Sequence, residues 1–176
     1  MAVVHYNHPV RQIPQPRGSH KCWAACVAMV RHTHGAAATV VDAVVAEMRG
    51  HGVAVNTDDT LPEGSVAPLA RRLHMRHWPE RPEQRVYPLP PGLLATVLRH
   101  GPAIAFGERR PEDAGDDPFH VVVLDKLNGD TDPQRSLHLL VHGIDPLIPA
   151  GGGGFELNVS AFQVHIHVNH LIYRAR

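Results

Sequence analysis

The hydrophobic period changes partway along the chain, and that change limits the fold more than any other feature. In the first half, Trp23, Cys26, Val27 and Val30 recur at three- and four-residue spacing. They lie between Ser19, suited to an N-cap, and Gly35, suited to a stop. This predicts a helix with one apolar face whose first turn is His20, Lys21 and Cys22. Thr39 followed by Asp42 resembles a capping box, opening a second helix that runs to Gly50. A shorter helix is expected near Val66–His74, and Pro91 suits the first turn of another that Gly101 ends.

Beyond residue 101 the pattern becomes strand-like. Pro102–Phe106, His120–Leu127, Leu137–Ile144, Phe155–Val159 and Val164–Tyr173 are rich in Val, Ile, Leu and aromatics, and turn residues bound them. Asn128-Gly129 lies between two of these runs, and GGGG at 151–154 reads as a flexible loop. Helices followed by strands predict an α+β fold with an antiparallel sheet. A length of 176 residues fits one domain spanning 1–176, mainly helical over 1–101 and mainly β over 102–176. Residues 1–18, with prolines at 9, 14 and 16, read as an extended arm.

Charge and composition exclude several classes. Seventeen basic and seventeen acidic side chains cancel, which argues against a nucleic-acid partner. No stretch approaches the roughly 20 apolar residues of a membrane span, so no membrane partner is expected. The N-terminus MAVVHYNHPVRQ lacks the pattern of a signal peptide, so synthesis in the cytoplasm is expected. Cys22 and Cys26 are too few for a disulfide scaffold, and one helical turn apart they match disulfide torsions poorly.

The residues around Cys22 carry chemistry. The first turn of a helix offers unpaired N–H groups and the positive end of the dipole, both of which stabilise a thiolate. Lys21 is adjacent, but neighbouring helical residues do not face each other. Upstream, the amide of Gln15 is suited to donate beside the backbone N–H of Cys22. Two such donors make an oxyanion hole, worth about 3–4 kcal/mol per donor. A cysteine nucleophile needs a base, and the base an orienting partner. His120 opens the most strand-like segment, FHVVVLDKL, and Asp145 ends the next in VHGIDP. Antiparallel neighbours bring the start of one strand beside the end of the next, within reach of a His120–Asp145 hydrogen bond.

In this order, Gln15, Cys22-Trp23-Ala24-Ala25, Phe119-His120-Val121-Val122-Val123 and Ile144-Asp145-Pro146 resemble the papain-like cysteine peptidases. The likeness is to their compact bacterial branch, with its secreted effector proteases and double-glycine leader peptidases. It spans roughly residues 12–147, and four short motifs carry it. The resemblance implies a papain-like fold, a helical lobe bearing the cysteine helix packed on a C-terminal antiparallel sheet, with a substrate cleft between. It implies Cys22 as nucleophile, His120 as general base, Asp145 as orienting residue and Gln15 as oxyanion-hole donor. Peptide or protein substrates follow, no cofactor is implied, and an exported effector role is compatible with the missing signal peptide. The longer C-G-S-C-W signature is absent: Ser19-His20-Lys21 precede Cys22. Asp145 stands where the larger enzymes use asparagine.

Other readings stay open. A related site could act on side-chain amides as a deamidase, a transglutaminase-like enzyme or an isopeptidase, or a non-catalytic domain could hold a peptide in the cleft. The sequence is silent on oligomeric state. Cys26, sharing a face with Val30, reads as a buried small hydrophobe. Fifteen histidines raise the question of metal. His165 and His167 share one strand face with His170 nearby, and His138 and His142 share a face of another; since Val164, Ile166 and Val168 form the opposing apolar face, His165 and His167 are read instead as lining the solvated side. Arg71, Arg72, Arg76, Arg81 and Arg85 read as a solvated surface. Trp78 and Phe119 are assigned to core packing rather than to a cleft.

Overall fold

The computed structural model describes residues 3–31, 37–109, 119–132, 138–147 and 153–176. It is α+β. Among these residues seven antiparallel strands form one sheet: β1 (Val3–Asn7), β2 (Arg76–Trp78), β3 (Ala103–Arg109), β4 (Phe119–Asp130), β5 (Leu140–Ile144), β6 (Gly154–Asn158) and β7 (Ile166–Tyr173). The spatial order is β2-β7-β3-β4-β5-β6, with β1 also paired to β4. β3 pairs with the first half of β4, and β1 takes over that edge from Lys126 onward. The N-terminal arm therefore begins as a strand. Near the far end of β4, Gly129 has φ 131°, and a Cβ there would collide with the His138 carbonyl.

Among the described residues five α-helices cover the sheet: α1 (Cys22–Val30), α2 (Ala37–Gly50), α3 (Val66–Arg72), α4 (Pro91–Leu98) and α5 (Val159–His165). They are split between its faces. Ile104, Phe106, Val121, Val123 and Ile172 pack with α1, α2 and α3. The alternate residues Ala103, Ala105, Val122, Leu124 and Leu171 pack with α4 and α5. Both faces being buried explains why His120–Leu124 reads as an unbroken apolar run rather than an alternation. Sequence order alone put the helices in one lobe. In the fold, α4 crosses to the second face, while β1 and β2 join the sheet from the helical half.

Several local expectations are corrected. α1 starts at Cys22 with Lys21 as N-cap, and the Ser19 hydroxyl instead donates to the Pro16 carbonyl at 2.7 Å. All nine residues of α1 are buried, not one face, because the helix lies between α2 and the sheet. Gly35, its expected stop, lies outside the described residues. α2 has already begun at Ala37, so Thr39 is not its cap, and the Asp42 carboxylate takes the Lys21 ammonium at 2.6 Å. Val164 and His165 belong to α5 rather than to a strand, because the Asn158 side chain accepts from the Ala161 N–H at 2.8 Å and caps that helix. Among the described residues no helix is long and apolar enough to cross a membrane.

The expected solvent exposure of His165 and His167 holds, but not their shared strand. His165 sits at the end of a helix and His167 on β7, both exposed, and Val164 is exposed with them. No group of three or more metal-ligating side chains converges among the described residues. His170 instead stacks on His77 of β2, with Nε2 of His77 2.9 Å from Nδ1 of His170. Nε2 of His170 lies 2.9 Å from Glu63 and 3.0 Å from Arg85. Trp78 is half-buried against the second core as expected, whereas Phe119 is 39% exposed.

That histidine pair makes the fold acid-sensitive. Burial, followed by the charges of His170, Arg71 and Arg85, pushes His77 down to about 4, against a weaker opposing effect of Glu80. His170 is lowered too, by burial first and by Arg85, while Glu63 opposes the shift. Between about pH 6.5 and 4 the unfolded chain therefore binds more protons than the folded one, and stability falls as pH falls through that window. The urea midpoint is expected to drop over this range, and to drop less in His77→Asn.

Candidate active site

The candidate residues stand on three chain segments: His120 at the start of β4, Asp145 after β5 and Cys22 at the start of α1. His120 is the second residue of β4 and lies opposite Gly107 of β3. At Gly107 the pairing of β3 with β7 shifts register, and a Cβ there would stand 2.6 Å from the His167 carbonyl oxygen. Only glycine fits this bulge. Asp145 follows the last residue of β5, the antiparallel neighbour of β4. Its backbone N–H donates to Gly153 at 2.8 Å, and its Oδ1 accepts the Leu147 N–H at 2.8 Å. Gly153, expected in a flexible loop, is thus held against Asp145, and a Cβ on it would collide with the Gln12 amide.

His120 and Asp145 meet. Nε2 of His120 is 2.9 Å from Oδ1 of Asp145, with His120 2% exposed and Asp145 14%. Nδ1 is left as the ring nitrogen turned away from the carboxylate. Burial works against ionising Asp145, but the His120 hydrogen bond and charge, the Leu147 N–H and Arg109 outweigh it, holding the carboxyl below its ordinary value.

Cys22 opens α1 and is 8% exposed. The side chain of the N-cap Lys21 makes no capping hydrogen bond to the first turn, which begins with Cys22. The Lys21 ammonium is engaged elsewhere, by Asp42 and by Asp59 at 3.1 Å. The indole N–H of Trp23, 1% exposed, donates to the Asp59 carbonyl at 2.9 Å and ties this end of α1 to the loop that follows α2.

Three ties link the segments that carry the predicted residues. The Cys26 thiol, one turn beyond Cys22, donates to the carbonyl of Val121 at 3.4 Å, fastening α1 to the residue after His120. The Gln15 backbone N–H donates to Pro146 at 2.9 Å, fastening the arm to the residue after Asp145. The third is the His120–Asp145 contact itself. Cys26 is fully buried, and burial, then the charges of Cys22 and Asp145, push its thiol up. Both of those residues are therefore within electrostatic reach of one point on α1. Neither cysteine is in a disulfide, and Cys26 is the inert one its pattern suggested.

No family model matches the chain, and no curated protein matches it.

Two features differ from expectation. The Gln15 amide Nε2 donates to the Ser19 carbonyl at 2.7 Å, leaving one of its two N–H groups for another acceptor, and its buried Oε1 has no hydrogen-bond partner among the described residues. Strand alternation also turns Val121 toward α1, while His120 lines a cavity of about 360 Å³ with Arg109, Asp145, Phe155, Leu157, Phe162, His165 and Ile166. Cys22 does not line this cavity.

Arg109, the last residue of β3, was invisible to sequence reasoning. Its guanidinium lies 2.9 Å from Nε2 of His120 and 3.1 Å from Oδ2 of Asp145. Nothing in the local pattern distinguishes it from the other arginines. The buried Asp125, 2.5 Å from Nδ1 of His142, was missed too. It sits at a bulge in β4, where the register against β5 shifts, and an isolated Asp in a strand run carries no such signal.

Proposed function

We propose that this protein is a thiol-dependent hydrolase of the papain-like kind, acting on peptide bonds. The observation that carries the reading is the buried His120–Asp145 pair, on strands fastened to the helix that begins with Cys22. Asp145 orients the ring through Nε2 and leaves Nδ1 to exchange a proton with the thiol, which must approach around the end of β4.

In this reading the Cys22 thiolate attacks the scissile carbonyl carbon. The oxygen becomes an anion held by the Cys22 N–H and the remaining N–H of Gln15. Collapse of the tetrahedral species breaks the C–N bond, and the His120 imidazolium gives its proton to the leaving amine. Water then attacks the thioester, with the neutral ring taking its proton. Loss of the acid product returns the thiol and completes the cycle. No redox partner enters the balance.

The test is a digest of a defined mixture of denatured proteins and peptides, read by mass spectrometry. The reading expects new peptide termini with wild type and none with Cys22→Ala. Gains of one dalton on Gln or Asn without new termini would assign the site to side-chain amides. Neither product, together with retained peptide binding, would leave a binding domain.

A further inference from the structure

The contacts of Nε2 on His120 cannot all be good at once. It lies 2.9 Å from a carboxylate oxygen and 2.9 Å from a guanidinium nitrogen. A protonated Nε2 donates to Asp145 and faces another donor in Arg109. An unprotonated Nε2 accepts from Arg109 and faces the lone pairs of Asp145. The imidazolium that the proposed mechanism needs carries protons on both ring nitrogens. It then stands against a guanidinium that is always charged. As drawn by these distances, Arg109 competes with His120 for Asp145 and opposes the catalytic charge state.

An anion would relieve that conflict by drawing Arg109 away. The cavity indicates which kind. Arg109 and His165 stand with His120 and Asp145 on its lining, while the rest of the wall is Phe155, Leu157, Phe162 and Ile166. Phe155 and Phe162 stack with ring centroids 5.9 Å apart. A ligand matched to this lining carries a large apolar side chain beside a carboxylate. His120, Arg109 and Asp145 line the cavity together, so a ligand seated there meets Arg109 beside the ring.

We propose that Arg109 is a specificity-determining residue: it restrains the His120–Asp145 pair until a carboxylate of the substrate, next to a large apolar side chain, engages it. This rests on the hydrolase reading given above. The carboxylate is either the α-carboxylate of a C-terminal residue or the side chain of Asp or Glu.

Binding tests it apart from turnover. The Cys22→Ala protein is titrated with N-acetylphenylalanine, N-acetylphenylalaninamide and N-acetylphenylalanylglutamic acid α-amide, whose γ-carboxylate is free. NMR shifts of the His120 and Arg109 side chains report occupancy. At least one acid is expected to bind about tenfold or more tightly than the neutral phenylalaninamide, at low salt. Preference for the first acid assigns the α-carboxylate, and preference for the second an acidic side chain. Arg109→Gln should erase the preference, and Arg109→Lys should restore part of it, with all three proteins melting alike. Equal binding of acids and amide to wild-type Arg109, or a preference that survives Arg109→Gln, overturns the proposal. Iodoacetamide alkylation of Cys22 in the Arg109 wild type, compared with His120→Ala, reports separately on the hydrolase reading, so the two can fail independently.

Discussion

Turnover by Cys22→Ala is expected to fall by about 10⁴-fold or more, with the melting temperature within a few degrees of wild type. The size follows from losing the nucleophile of a cooperating set, whose members' effects do not add. The small stability change follows from the side chain: removing one sulfur at a site 8% exposed leaves a modest cavity, and about 1 kcal/mol moves the midpoint of a chain this size by roughly 2–4 °C. Cys26 cannot substitute. Its thiol is fully buried, pushed toward the neutral form and committed to the Val121 carbonyl, so Cys26→Ser should retain most activity. Rates on any substrate found in the digest, with a thermal melt of each variant, check both halves.

Trp23→Ala is expected to cost about 3–5 kcal/mol, measured by urea or guanidinium denaturation. Trp23 is among the largest fully buried side chains, and its truncation opens a void between α1 and its neighbours. It also removes the donor to the Asp59 carbonyl, which leaves that acceptor to find another partner. Trp23→Phe keeps most of the packing and loses the hydrogen bond, so it should cost roughly 1–3 kcal/mol. Against a typical stability of about 5–15 kcal/mol, the alanine variant is severely weakened. Because Trp23 anchors the turn that presents Cys22, thiol reactivity should fall with it even where the chain remains folded.

Much of the architecture is legible in the residues because local patterns and tertiary packing agree. The strand runs at 102–127 and the helix opened by Pro91 appear within a few residues of their expected bounds. The His120–Asp145 juxtaposition follows from one rule about antiparallel neighbours, and the two residues are 2.9 Å apart. What the pattern could not carry was set by distant contacts. Asn158 caps α5 and converts Val164 and His165 from strand to helix, though the run around them is β-like. Thr39 fails as a cap because α2 is already under way, and Ser19 fails because its hydroxyl turns back to Pro16. The burial of both sheet faces depends on α4 crossing over, which sequence order does not encode. Arg109 acquires its meaning only from the two partners the sheet brings beside it. The contact of Gln15 with Ser19 likewise belongs to the folded arm.

The most direct measurement is the pH dependence of Cys22 alkylation by iodoacetamide in a Cys26→Ser background, with and without His120→Ala. The account predicts a reactive thiolate that persists well below the ordinary thiol value of about 8.5 and a profile that His120→Ala shifts. A profile centred near that ordinary value and indifferent to His120 would mean that the thiol and the ring do not form a working pair, and would contradict the account.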